Sequence, residues 1–271
     1  MKTFEEIIAE AHQFAASKGL DITENNRALD RELYNRTPGN MHLEDGVECD
    51  ICNNKGFVLR DNGERNYDDY CECYPRRRAA LSLKKSGLYD LSLRYTMALF
   101  KRETPWHKLM YKKAQSFLEK EGAWFYAGGQ VGCGKTHICV AAVAELIKRN
   151  IGAKYMLWRD EATRLKGLLT EGGAYQSALK DYKNVPVLYI DDLFKTGRSA
   201  PPPSAGDIHL AFEIINHRYN DSRLRTVISS EWTMEELCDF DEGIGSRIFE
   251  RAEYVEIARD REKNYRLAGG G

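Results

Sequence analysis

The 271-residue sequence predicts an α/β protein: a parallel sheet carrying a phosphate-binding loop, preceded by helices and a small zinc-ribbon-like module. Three observations carry this. Residues 129–136, Gly-Gln-Val-Gly-Cys-Gly-Lys-Thr, complete the pattern G-x-x-x-x-G-K-[ST]. From residue 123 onward, apolar runs of strand length alternate with helical ones, the signature of a parallel sheet flanked by helices. Four cysteines are paired as Cys49-x2-Cys52 and Cys71-x-Cys73, with eighteen residues between the pairs.

Taken from the N-terminus, Thr3-Phe4-Glu5-Glu6 has the form of a capping box. It opens an amphipathic segment predicted to turn Ile7, Ile8, Ala11, Phe14 and Ala15 inward, ending near Gly19. A second polar helical stretch over 23–35 stops at Thr37-Pro38-Gly39. Next come two predicted strands, 56–60 and 67–70, joined by a turn at Asp61-Asn62-Gly63, with a cysteine pair at each end. Four thiolates at this spacing suit tetrahedral Zn²⁺, which would clip a hairpin too small to fold alone. Cys49, Cys52, Cys71 and Cys73 are the expected ligands, with His42 in reserve. Redox chemistry is the alternative, but no thioredoxin-type βαβ pattern surrounds the C-x-x-C. Cys133, Cys139 and Cys238 stand apart, and the first two are expected to be buried as small apolar residues.

Residues 75–120 read as mostly helical, with breaks at Gly87 and Pro105. The net charge of −1 conceals an asymmetry here: residues 1–73 carry 8 Lys/Arg against 16 Asp/Glu, whereas residues 74–113 carry 11 against 2. This basic collar, with Arg76-Arg77-Arg78 and Lys84-Lys85, fits either a nucleic-acid contact or a solvated helix face.

The sheet begins with Ala-Trp-Phe-Tyr-Ala at 123–127, feeding the loop, and the loop feeds a helix over 136–149. Strand, glycine loop and helix N-terminus together bind phosphates: Gly129, Gly132 and Gly134 permit the tight turn, and the backbone N–H groups of Val131, Cys133 and their neighbours line it. Lys135 supplies a cation for the β/γ-phosphates, Thr136 a hydroxyl for Mg²⁺, and His137 follows at the helix start. A strand at 154–158 and a helix at 160–169 follow, then an interruption over 167–184. The strand at 185–190 ends in Asp191-Asp192, fifty-six residues after Lys135. Asp191 is placed to hold Mg²⁺ through its water shell, and Asp192 to polarise an attacking water. A Pro-rich loop at 197–206, a helix at 207–219, a strand at 224–230, helices at 233–239 and 245–251, and a strand at 254–257 complete the pattern. One intervening strand separates the loop strand from the acidic strand in sequence. That separation predicts two strands apart in the sheet, an arrangement for ATP hydrolysis rather than phosphate transfer to a metabolite.

The phosphate loop, Tyr189-Ile190-Asp191-Asp192-Leu193-Phe194-Lys195, Asn216-His217-Arg218-Tyr219-Asn220, Thr226-Val227-Ile228-Ser229-Ser230-Glu231 and Gly245-Ser246-Arg247-Ile248-Phe249-Glu250-Arg251 occur in that order. Over about residues 45–267 the chain thereby resembles the DnaC/IstB-like AAA+ ATPases, and among them phage and bacterial helicase loaders with an N-terminal cysteine module. The resemblance implies a Mg²⁺-dependent ATPase that binds the replicative hexameric DNA helicase, assists its loading onto single-stranded DNA, and self-associates with ATP. It implies Arg251, or Arg247 one turn earlier, as an arginine finger reaching a neighbouring subunit, and Arg266 as a cis sensor of the γ-phosphate. Many relatives end the fourth strand in a polar residue, commonly Asn, that orients water. Here that position falls on Ser230 or Glu231; Ser230 is the better donor, and the departure points to slow hydrolysis.

The domain boundaries expected are 1–45 (helical, gripping the helicase or packing on its own ATPase domain), 46–75 (zinc module), 76–121 (basic helical linker) and 122–271 (AAA+ domain). Hydrophobic content of 42% against 30% charged residues excludes global disorder. No apolar run approaches the roughly 20 residues that span a bilayer, and the acidic N-terminus is not of signal type, so a soluble cytoplasmic protein without a membrane partner is expected. Two other functions fit: a transposition helper ATPase, which the cysteine module argues against, and a nucleotide-gated DNA-binding adaptor with little hydrolysis, which Glu231 favours.

Overall fold

The alternation that begins at residue 123 builds, among the described residues, a five-stranded, all-parallel sheet whose strands lie side by side in the order Ala153–Leu157, Val187–Leu193, Arg225–Ser230, Trp124–Gly129 and Ala252–Ile257. The structure, a computed structural model, describes residues 3–17, 27–62, 66–170, 172–195 and 202–268. It divides into two compact units, Met1–Leu81 and Ser82–Gly271.

The first unit holds α1 (Phe4–Ser17), α2 (Arg27–Arg36), the short α3 (His42–Asp45), the hairpin β1 (Phe57–Asp61) and β2 (Asn66–Tyr70), and the start of α4 (Tyr74–Ser86). The capping box forms as read: Thr3 N–H donates to Glu6 (2.7 Å) and Glu6 N–H to Thr3 Oγ1 (3.2 Å). Phe14, expected inward, is instead 66% exposed; the side chains of Ile7, Ile8, Ala11 and Ala15 lie outside the described set. The expected stop at Gly19 also falls outside it. Asn35 on α2 pins the hairpin by bonding both the N–H (2.8 Å) and the C=O (3.1 Å) of Leu59.

The second unit continues with α5 (Tyr89–Arg94), α6 (Pro105–Glu119), β3 (Trp124–Gly129), α7 (Lys135–Lys148), β4 (Ala153–Leu157), α8 (Trp158–Gly167), α9 (Gly172–Asn184) and β5 (Val187–Leu193). It ends with α10 (Ala205–Tyr219), β6 (Arg225–Ser230), α11 (Met234–Phe240), α12 (Glu242–Arg251), β7 (Ala252–Ile257), a 3-10 turn at Arg261–Lys263 and α13 (Tyr265–Ala268). Pro105 opens α6 rather than breaking a helix, as suits a first-turn position that needs no N–H donor.

Period-2 alternation sorts the strands between two cores. Phe125, Ala127, Val187, Tyr189, Val227 and Val255 face one, with the buried α7. Trp124, Tyr126, Leu188, Ile190 and Ile228 face the other, with α8, α9 and α10. The stretch 167–184, read as an interruption, contains α9. Its buried Tyr175, Leu179 and Tyr182 recur at helical spacing, each contributing on the order of 1.5–3 kcal/mol by burial. The loop strand β3 and the acidic strand β5 are separated by β6, as the sequence separation predicts.

The wholly buried Arg218 ties the C-terminal end of α9 and the loop after it to the start of β6. Its guanidinium donates to the carbonyls of Tyr182, Lys183, Val185 and Arg225 and to Thr226 Oγ1 at 2.6–3.1 Å. Burial without an acid in contact pulls its pKa down to about 9.

Candidate functional site

Two glycines show why the loop takes this path. Gly129 (φ +90°) and Gly132 (φ +75°) lie in the left-handed region, and a Cβ would come within 2.1 Å of Ile257 O and 2.0 Å of Asn264 Oδ1 respectively. Gly134 precedes the first turn of α7, so the helix N-terminus opens onto the loop. Lys135 is buried, its Nζ donating to the carbonyls of Gly129 (2.8 Å) and Gln130 (2.6 Å), and burial lowers its pKa. Beneath the loop, the buried Cys133 thiol donates to Gln130 O (3.0 Å).

Asp191, 4% exposed at the end of β5, faces the loop helix. Thr136 Oγ1 lies 3.4 Å from its Oδ1. Three further hydroxyls converge on the same carboxylate: Tyr189 OH on Oδ1 (2.7 Å), Tyr155 OH on Oδ2 (2.9 Å), and Ser229 Oγ on Oδ1. Burial, then the Asp191 charge, pushes both tyrosines up, so they stay protonated donors. Acceptance of several hydroxyls fixes the orientation of the carboxylate, aimed at Thr136. Hydroxyl and carboxylate together fit a hydrated Mg²⁺.

Beyond Asp191 the strand bulges. Register shifts between Ile190 and Leu193, and Asp192 and Phe194 both adopt φ of 57°. The bulge turns Asp192 onto a cavity of about 190 Å³ that Val131, Gly132, Gly134, Lys135, Thr136, His137 and Glu231 also line. There Lys195 bridges Asp192 (2.7 Å) and Glu231 (3.3 Å). Ser230, the expected donor to water, faces the opposite side of the strand. Its Oγ donates to Leu193 O (2.8 Å) and accepts from Trp232 N–H (3.2 Å), and it is absent from the residues lining this cavity. Its neighbour Ser229 meets the Asp191 carboxylate and also accepts from the backbone N–H of Asp192 (3.0 Å).

An adjoining cavity of about 320 Å³ shares Tyr95, Gly132, Gly134 and His137 and adds Phe100, His107 and Tyr265. His137 Nε2 meets Thr96 O (2.9 Å), and the Phe100 ring stands edge-on to both histidines. Burial lowers the pKa of His107 and His137. This aromatic hollow beside a phosphate loop suits a planar heterocycle.

The two candidate fingers differ. Arg251 is committed to main-chain carbonyls: Gly122 (2.8 Å), Tyr219 (3.0 Å) and Ser222 (3.4 Å). Arg247 donates through Nη1 to Gly243 O (2.7 Å) and stacks on Phe212 and Tyr219, while its Nε has no hydrogen-bond partner among the described residues. The Arg266 side chain lies outside the described set, although its neighbour Tyr265 donates N–H to Gly132 O (3.1 Å).

In the first unit, the Sγ atoms of Cys49, Cys52, Cys71 and Cys73 lie within 4.8 Å of one another. Cys49–Cys71 at 3.8 Å and Cys52–Cys73 at 3.6 Å are too far apart for disulfides. They match the edge of a tetrahedron with Zn–S of about 2.3 Å, which is about 3.8 Å. Burial pushes the Cys73 thiol up to about 12. Burial acts on Cys52 too, but the Gly56 N–H (3.2 Å) and the neighbouring thiols bring it down to about 7. Four thiols this close ionise together only around a cation, so the set fits Zn²⁺. His42 lies outside the cluster; its buried Nδ1 has no partner among the described residues. Arg77, counted in the basic collar, is wholly buried in this unit against Asp45, whereas Arg76, Arg78, Lys84 and Lys85 are exposed. Its helix phase, four residues after Cys73, removes it from any surface contact.

No family model matches the chain. It is 28% identical over 254 residues to the uncharacterized protein YqaM of Bacillus subtilis (strain 168), covering 88% of this chain and 79% of that one. It is 33% identical over 145 residues to the phage-like element PBSX protein XkdC of the same organism, covering 52% of this chain and 53% of that protein. Among solved structures, the DnaC helicase loader matches with TM-score 0.52 and 26% identity, over 60% of this chain and 96% of its own. DnaI matches with TM-score 0.52 and 25% identity, over 61% and 92%. The replication initiator DnaA bound to AMPPCP and single-stranded DNA matches with TM-score 0.52 and 26% identity, over 63% of this chain and 51% of that one. Among the described residues, no helix is long and apolar enough to cross a membrane.

Proposed function

We propose that this chain is a DnaC-like AAA+ protein and an ATP-dependent helicase loader, which binds a replicative hexameric helicase and helps place it on single-stranded DNA. The observation that carries the nucleotide chemistry is the approach of Thr136 to Asp191 at 3.4 Å beside the buried Lys135. In this reading the triphosphate lies along Val131–Thr136, with Lys135 on its β/γ-phosphates. Thr136 and Asp191 hold Mg²⁺, and the base enters the Tyr95–Phe100–Tyr265 hollow. Asp192, beside the γ-phosphate position, orients the attacking water once ligand binding draws Lys195 away. Arg247 is the better finger, because Arg251 already spends its guanidinium on three carbonyls of its own chain. Zn²⁺ on the four cysteines holds the N-terminal module, and the protein acts in the cytoplasm. The helicase and DNA partners rest on the likeness to DnaC, DnaI and the single-stranded-DNA-bound DnaA.

The Lys195 bridge between Asp192 and Glu231 favours one other reading: a nucleotide-gated DNA-binding adaptor that binds ATP and barely cleaves it. ATP turnover measured alone, with single-stranded DNA, and with DNA plus a replicative helicase separates the two. The loader reading expects turnover that responds to these partners and helicase transferred onto DNA. Turnover near zero in all three conditions, with ATP still altering DNA affinity, would establish the adaptor instead.

A further inference from the structure

Arg77 is 0% exposed, one helical turn after the ligand Cys73. Its Nε donates to Cys73 Sγ (3.2 Å), and Nη1 grips both oxygens of Asp45 (2.9 and 2.8 Å). Nη2 reaches Asn54 Oδ1 (3.2 Å), which in turn accepts the Cys49 N–H (2.8 Å). One buried guanidinium therefore touches a thiol of the second cysteine pair directly and the loop of the first pair through one amide.

Zn²⁺ on four thiolates carries a net charge of about −2, here in a site whose Cys52, Cys71 and Cys73 are at most 4% exposed. Charge in such surroundings is costly unless compensated by hydrogen bonds and a counter-ion. Gly56 N–H on Cys52 Sγ supplies one donor. The charged donor is Arg77. We propose that Arg77 is a positioning residue of the zinc site, its Nε–H···Sγ bond orienting and partly neutralising the Cys73 thiolate while its fork ties the two cysteine loops together. The proposal rests on reading the four cysteines as a zinc site. The ordinary alternative is that Arg77 exists to satisfy buried Asp45, with Cys73 merely nearby.

The double variant Arg77→Met/Asp45→Asn separates the two, because it removes the ion pair without stranding either charge. The amide introduced by Asp45→Asn keeps an acceptor for the Val47 N–H that Asp45 now bonds at 2.8 Å. In the full-length protein, zinc affinity is measured by chelator competition and the Co²⁺-substituted site by its sulfur-to-metal charge-transfer band. The expected result is a loss of zinc affinity of about ten- to hundredfold with a shifted Co²⁺ band, while Asp45→Asn alone holds zinc as wild type does. Wild-type zinc affinity and an unshifted band in the double variant would overturn the proposal and leave Arg77 as Asp45's partner. Should the double variant fail to fold, Arg77→Lys, which keeps the charge but loses the fork, gives the same reading: weakened zinc supports the proposal and unchanged zinc overturns it. Wild-type protein that takes up no zinc at all would instead overturn the zinc reading itself, and the proposal with it.

Discussion

Replacing Ser229 by alanine tests the magnesium-side geometry most sharply. The side chain is fully buried, donates to Asp191 Oδ1 and accepts the Asp192 N–H at 3.0 Å. A hydrogen bond to a charged group contributes about 1.5–3 kcal/mol and one between neutral groups about 1 kcal/mol, so the ceiling is about 4 kcal/mol. Tyr189 and Tyr155 still hold Asp191 in the variant, so the carboxylate is not left bare. The lower end, about 2 kcal/mol, is the better expectation. Expressed in the transition state, that is a fall in kcat/KM for ATP of about 30-fold, with ATP affinity changed much less. The assay is steady-state ATP hydrolysis at saturating and limiting Mg²⁺, run beside Ser230→Ala. Ser230 bonds Leu193 O and the Trp232 N–H, so its loss should lower Tm by a few degrees and leave turnover within about twofold. Near-wild-type turnover in Ser229→Ala, or a larger loss in Ser230→Ala, would refute the assignment.

Arg247→Ala should leave ATP affinity nearly intact and lower assembly-dependent turnover by about tenfold or more, partly restored on mixing with Lys135→Ala; Arg251→Ala should chiefly lower Tm, since it removes three carbonyl contacts. Because burial lowers the pKa of His107 and His137, the unfolded chain binds more protons as pH falls past their ordinary value of 6.5. Stability is therefore retained above that value and lost below it, and a His107→Gln variant should show a shallower fall in urea midpoint between pH 7.5 and 5.5. Neutralising Arg76, Arg78, Lys84 and Lys85 should weaken single-stranded DNA binding and flatten its dependence on salt by up to about three powers; an unchanged slope would assign these exposed residues to a protein partner.

What the sequence made legible follows from what is local. The phosphate loop and the cysteine spacing are short-range patterns, and the strand–helix alternation needs only periodicity. At the end of β6 the two serines divide by strand period: counting by twos from Val227, which faces α7, brings Ser229 rather than Ser230 onto Asp191. The helix α9 was hidden by Gly172-Gly173 and a polar composition, although Tyr175, Leu179 and Tyr182 carried its period. A run of three arginines reads as solvated until the helix phase from Cys73 is counted, and that count buries Arg77. The tyrosine hydroxyls on Asp191 had no sequence signal. They meet because Tyr155 and Tyr189 are paired directly across β4 and β5, a register that only tertiary structure fixes.

The central claim is that Lys135, Thr136 and Asp191 together hold Mg²⁺–ATP. Calorimetric titration of ATP into the full-length protein, with Mg²⁺ and with chelator, tests it directly when repeated on Lys135→Ala and Asp191→Asn. The account predicts one ATP per chain with Mg²⁺-strengthened binding, at least tenfold weaker affinity in Lys135→Ala, and loss of the Mg²⁺ enhancement in Asp191→Asn. Equal ATP affinity in all three proteins, with the same response to Mg²⁺, would contradict it.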